Sequence, residues 1–112
     1  MSYLQVVTIL SIIKDRLTIK NGTHHDHRRG CFIAGDLELD GTPILSYTQH
    51  GDGSEPDIDF VSGGRKRCEE FLNAINFNDA MIADNWLDAG EVAPLDYQIS
   101  TAFDCLYFDT IQ

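Results

Sequence analysis

From Cys31 to Asp40 the chain takes a period of two, and this pattern constrains its fold more than any other feature. Ile33, Leu37 and Leu39 fall on one side and Asp36, Glu38 and Asp40 on the other, the two-residue period of a strand with one buried face. Asp40-Gly41 then breaks the pattern with a dipeptide suited to a two-residue hairpin turn. Ile44 to Gln49 reads as the return strand, with Pro43 near its start, where a missing N–H is tolerated.

The flanking segments extend this picture. Leu17 to Lys20 alternates like a short strand closed by an Asn21-Gly22 turn, and Asp57 to Val61 alternates again with Ile58 and Phe60 inward. Thr23 to Gly30 and the segment HGDGSEP read as polar loops. Residues 2–17 place Tyr3, Val6, Val7, Leu10, Ile13 and Leu17 at helical spacing behind a capping Ser2, against a β-branched content that favours a strand. After Gly63-Gly64, the residues Cys68, Phe71, Leu72 and Ile75 define one face of a helix, with Glu69 and Glu70 outside. Asn78 or Asp79 is the expected cap of a second short helix carrying Ile82, Ala83, Trp86 and Leu87, stopped by Gly90.

The segment from Tyr97 to Phe108 supports two readings. As a strand it groups Tyr97, Ile99, Phe103, Cys105 and Tyr107; as a helix it groups Leu95, Ile99, Ala102, Phe103 and Leu106. Its aromatic and β-branched content favours the strand. The expected fold class is α+β: a small antiparallel sheet with two or three helices packed on one face, forming a single acidic domain over residues 1–112.

With 43% hydrophobic residues the chain has enough apolar material to fold without disulfides or metal. Cys31, Cys68 and Cys105 are an odd number with no C-x-x-C pair, which suits buried thiols in a reducing compartment. The apolar stretch near the start lacks a basic n-region and is interrupted by Gln5, Thr8 and Ser11. A cytoplasmic protein is therefore expected, with no membrane association.

Charge is distributed very unevenly. From Cys68 to Gln112 there are nine acids and not one Lys or Arg, whereas the first sixty-seven residues hold nine acids against eight bases. Of the net −10, −9 thus lies in the C-terminal segment. Such a field repels nucleic acid and anionic membrane and attracts strongly basic surfaces.

Motifs for chemistry are sparse. There is no GxSxG, Walker loop or GxGxxG, and no acid stands two positions before any of the three lysines, as a metal-dependent nuclease opening with Glu55-Pro56-Asp57 would need. DGSEPDID places carboxylates in a glycine-containing loop but lacks the closing Glu of a calcium loop. Cys68 follows Arg65-Lys66-Arg67, an arrangement that can activate a thiol, yet it falls on the apolar helix face. The basic run itself suits pairing with intramolecular acids. His24, His25 and His27 gather three imidazoles around Asp26, with Cys31 nearby, although adjacent side chains seldom converge on one centre and Arg28-Arg29 repels a dication. No cofactor, metal site or enzymatic activity is expected.

The acids suggest a different role. On a strand, Asp36, Glu38 and Asp40 form a row spaced by roughly 6.6 Å, of the order of phosphate spacing along a nucleic-acid strand. Asp57 and Asp59 repeat the arrangement, and Asp84, Asp88 and Glu91 add charge around Trp86, a candidate anchor. The expected function is a small acidic, non-catalytic inhibitor. Its partner would be the basic, nucleic-acid-binding surface of a nuclease or defence complex, as for immunity proteins, anti-restriction proteins and anti-CRISPR proteins of similar charge and size. Two alternatives stand beside it: a metal-dependent enzyme or sensor using His24, His25 and His27, and a structural subunit whose acidic surface serves only solvation.

Overall fold

The computed structural model describes residues 7–28 and 30–110, without the side chains of Val7, His27 and Thr110. The elements, in chain order, are α1 (Val7–Ile13), β1 (Leu17–His27), β2 (Gly30–Leu39), β3 (Thr42–Gln49), β4 (Asp57–Phe60), α2 (Gly64–Ala74), α3 (Phe77–Ala83) and α4 (Leu95–Thr110). The strands form one antiparallel sheet in the order β1-β2-β3-β4, and with four helices the fold is α+β. The chain divides into a sheet unit, Arg16–Arg67, and a helical unit, Met1–Asp15 with Cys68–Gln112.

In the sheet unit, the hairpin follows the sequence pattern. Leu39 pairs with Thr42 across Asp40-Gly41, whose φ values of 53° and 81° are the two positive angles that a type I′ turn demands. Ile33, Leu37 and Leu39 are buried, Asp36 and Glu38 are partly exposed and Asp40 is exposed. Between Leu37↔Leu45 and Glu38↔Pro43 the register slips, leaving Ile44 as an extra residue. This bulge lets Ile44 and Leu45 both be buried, which strict alternation forbids.

Thr23 to His27 is strand, not loop. β1 continues through Asn21-Gly22, which does not turn the chain: Lys20 pairs with Asp36 and Thr23 with Ala34, so two residues face Gly35 alone. Asn21 takes the left-handed conformation at this bulge, with φ 56°. The dipeptide that signals a turn elsewhere is here absorbed by pairing with β2.

In the helical unit, α1 packs on α3 and α4. The helix expected over residues 2–17 ends sooner: Leu10 and Ile13 are buried as its stripe predicts, Ile9 is buried although it was not on that stripe, and the helix stops at Ile13, with Leu17 the first residue of β1. Residues 2–6 of that expectation lie outside the described residues. α2 buries Cys68, Phe71 and Leu72, with Ile75 half-buried beyond its end.

The second short helix begins and ends earlier than expected. Asn76, at φ 55°, accepts from the N–H groups of Asp79 and Ala80 and starts α3, with no side-chain cap from Asn78 or Asp79. At the other end, Asn85 at φ 65° donates to Ile82 O while Trp86 N–H reaches Met81 O, the paired bonds of a Schellman motif. Trp86 and Leu87 therefore follow the helix instead of riding on it.

The largest departure is α4. Residues expected as a strand over 97–108 form a sixteen-residue helix. Ile99, Thr101, Ala102, Phe103, Cys105, Leu106 and Tyr107 are all buried, so its interior stretch is enclosed on most sides and carries only a weak amphipathic signal. Thr101 meets this burial by donating its hydroxyl to Tyr97 O at 2.9 Å. No helix among the described residues is long and apolar enough to cross a membrane.

Candidate protein-binding surface

The register of the sheet unit collects acids that are distant in sequence. Asp36 on β2 pairs with Ser46 on β3, and Ser46 pairs with Asp59 on β4. One step along, Thr48 pairs with Asp57, and Glu38 faces Pro43. Since paired residues point to the same side, Asp36, Glu38, Asp57 and Asp59 share the face opposite Leu37, Leu45 and Tyr47. Two strand spacings separate the β2 and β4 acids, roughly 10 Å, and roughly 6.6 Å separates neighbours along each strand. Between the two rows lie only Ser46 and Thr48, without a charge.

Two of these carboxylates are oriented by the fold. Asp36 accepts from Asn21 Nδ2 at 2.9 Å and from Ser46 Oγ at 2.8 Å, bonds that hold its carboxyl below the usual carboxylate range. Asp57 lies 2.9 Å from His50 Nε2. Lys20, opposite Asp36 on β1, is the basic neighbour that the register places on this face.

Asp40 stands apart from the row expected with Asp36 and Glu38. It lies in the turn, where Arg16 grips it through Nε–H at 2.9 Å and Nη2–H at 2.6 Å, and this contact lowers its carboxyl pKa. Its charge is already matched. The basic run at the start of α2 also has intramolecular company: Arg65 lies 5.6 Å from the centre of the Phe60 ring, and Arg67 adds to the field that lowers Asp40.

In the helical unit the expected cluster divides. Asp88 and Glu91 are exposed, and Glu91 turns back to accept the Asp88 N–H at 2.6 Å. Asp84 does not belong to an exposed helical face: it is 3% exposed and accepts the Ile9 N–H at 2.9 Å. This bond ties the end of α3 to the backbone of α1. Trp86 is half-buried; its carbonyl accepts from the Tyr97 hydroxyl at 3.4 Å and its buried indole N–H has no partner. Asn78, read from sequence as a cap, instead ties down the following loop by donating to Glu91 O and accepting from Ala93 N–H.

Two groups, the half-buried Asp104 and the buried Cys105, were not visible in the sequence pattern. Asp104 has one carboxylate oxygen sealed without a partner, and burial pushes its carboxyl up to about 6. Cys105 is pushed up to about 12, by burial first and then by Asp104 and Asp84. Cys68 likewise rises to about 11 through burial, so it is a packed thiol and not an activated one.

Among the described side chains, His24 and His25 do not converge. His24 Nε2 lies 3.1 Å from Asp26 Oδ1, while His25 points to the opposite face and packs against Phe32 with ring centres 5.9 Å apart. The His27 side chain lies outside the described residues.

No model of a known protein family, no curated protein and no solved structure matches this chain.

Proposed function

We propose that the protein is a small acidic, non-catalytic inhibitor whose sheet face, centred on Asp36, Glu38, Asp57 and Asp59, occupies the basic nucleic-acid-binding surface of a nuclease or defence complex. The observation that carries this reading is the strand register, which gathers four carboxylates in two rows on one face with no charge between the rows. Carboxylates at this spacing offer a basic groove a pattern of negative charge comparable to a phosphate backbone. The uniformly acidic segment after Arg67, with Asp88 and Glu91 exposed, adds to the long-range attraction.

The test is capture by the immobilised protein from lysate of its host at low and at high salt, with and without added DNA or RNA. The expected result is a basic nucleic-acid-binding protein, retained at low salt and displaced by nucleic acid. It should be lost from a variant combining Asp36→Asn, Glu38→Gln, Asp57→Asn and Asp59→Asn. Absence of any nucleic-acid-displaceable partner, or equal capture by the variant, rejects the proposal.

A further inference from the structure

A second site stands at the far end of the β1–β2 hairpin, separate from the acidic rows. His24, Asp26 and Cys31 each offer one ligand atom there, and these atoms all lie within 4.8 Å of one another. The convergence follows from the bulge at Asn21-Gly22. One extra residue reverses the side-chain parity of β1, so that His24 and Asp26 come to the side of Cys31 and Ile33 while His25 turns away. Asp26 is directly opposite Cys31 in the register, and His24 is two residues along the same strand.

We propose that His24, Asp26 and Cys31 bind a borderline-soft divalent transition-metal ion, Zn2+ being the best match. The donor set is one imidazole, one carboxylate and one thiol, the three ligand types that zinc accepts in tetrahedral sites. Tetrahedral zinc with ordinary bond lengths separates nitrogen and oxygen ligands by roughly 3.3 Å and sulfur from either by roughly 3.5 Å. His24 Nε2 and Asp26 Oδ1 are already 3.1 Å apart. Both side chains are accessible, 37% and 85% exposed, so rotation about their own bonds can draw the ligand atoms inward without moving the strands. A thiolate and a carboxylate together neutralise a dication, which offsets the repulsion from Arg28 in the adjoining turn. Three protein ligands leave the fourth position for water or for a group on another molecule.

The donor set also makes a hard cation a poor occupant. Calcium and magnesium take six or more oxygen ligands, and this cluster supplies a single carboxylate.

The experiment uses the full chain, reduced and stripped with chelator, titrated with Co2+ as a spectroscopic stand-in and then with Zn2+. The expected result is one equivalent of Co2+ giving a sulfur-to-cobalt charge-transfer band and tetrahedral d–d absorption, both abolished by Zn2+. Cys31→Ser should remove the charge-transfer band, and His24→Ala should weaken Zn2+ binding at least tenfold, with circular dichroism of both variants unchanged. His25→Ala should behave as the parent. Absence of a charge-transfer band in the parent, its persistence in Cys31→Ser, or an equal loss in His25→Ala and His24→Ala overturns the proposal. Failure here leaves the partner-capture test of the acidic face unaffected, because none of its four carboxylates is a ligand.

Discussion

Two carboxylates, Asp84 buried and Asp104 half-buried, act in opposite ways. Asp84 is held by a donor: it accepts from the buried Ile9 N–H of α1, and removing it takes that partner away. Asp84→Ala should therefore cost about 1–3 kcal/mol of stability, read as a lower denaturant midpoint at unchanged m-value, with Asp84→Asn losing less because its amide oxygen still accepts. Asp104 has a sealed oxygen without a donor, and its folded pKa of about 6 lies above the ordinary 3.8. A raised carboxyl favours the folded state while protonated. Its contribution is fully present below about pH 4 and is lost as pH rises through about 6, to a cost on the order of 2–3 kcal/mol at neutral pH. Asp104→Asn should raise the melting temperature at pH 7 and flatten its fall between pH 4 and 6. Melting curves at pH 4, 5, 6 and 7 check both points, and an unchanged slope counts against the buried-charge account.

At the scale of elements, punctuation is carried by asparagine and aspartate. Asn21, Asp40, Asn76 and Asn85 are the non-glycine residues with positive φ among those described, and each bends, turns or ends an element. A left-handed residue with an ordinary β-carbon costs roughly 1–2 kcal/mol, and Asn or Asp tolerates it through local hydrogen bonding. At the end of α3, Asn85→Ala should lower stability by about 1 kcal/mol, whereas Asn85→Gly should leave it unchanged or slightly higher. Denaturant unfolding of the pair distinguishes this from a loss of side-chain contact, which would make both variants equally weak. α2 shows the complementary case. A β-carbon on Gly64 would run into the backbone carbonyl oxygen of Ile44. Its glycine is required by close approach, which no local pattern announces.

For the whole molecule, electrostatics outweighs any individual basic residue. Arg28-Arg29 and Arg65-Lys66-Arg67 resemble phosphate-binding runs, but eight bases stand against eighteen acids. Arg65 and Arg67 moreover face Phe60 and the field of Asp40. The protein should show no micromolar binding to DNA or RNA at physiological salt, measured by fluorescence anisotropy of labelled oligonucleotides. Salt-dependent binding in that range would mean that a local basic patch overrides the net field. Toward a basic protein the sign reverses. Neutralising the four sheet acids should slow association at low salt, and the difference should shrink near 0.15 M, where charges more than about 8 Å apart are screened.

The charge partition at Arg67 is independent of folding, and the alternation of β2, the Asp40-Gly41 turn and the buried face of α2 are local patterns that the structure repeats. Sequence alone determined these because each depends on neighbours within a few residues. It did not determine α4, because a helix buried on most sides lacks the one-sided stripe that separates helix from strand, and Ile99 and Phe103 point inward on either reading. Nor could it place Asp84, whose partner Ile9 lies 75 residues away. His24 and Asp26 were visible as residues, but only the bulge at Asn21-Gly22 decides that they, and not His25, share a face with Cys31. Periodicity and propensity are sums over adjacent residues, whereas strand parity, burial and long-range hydrogen bonds are set by whatever the folded chain brings alongside.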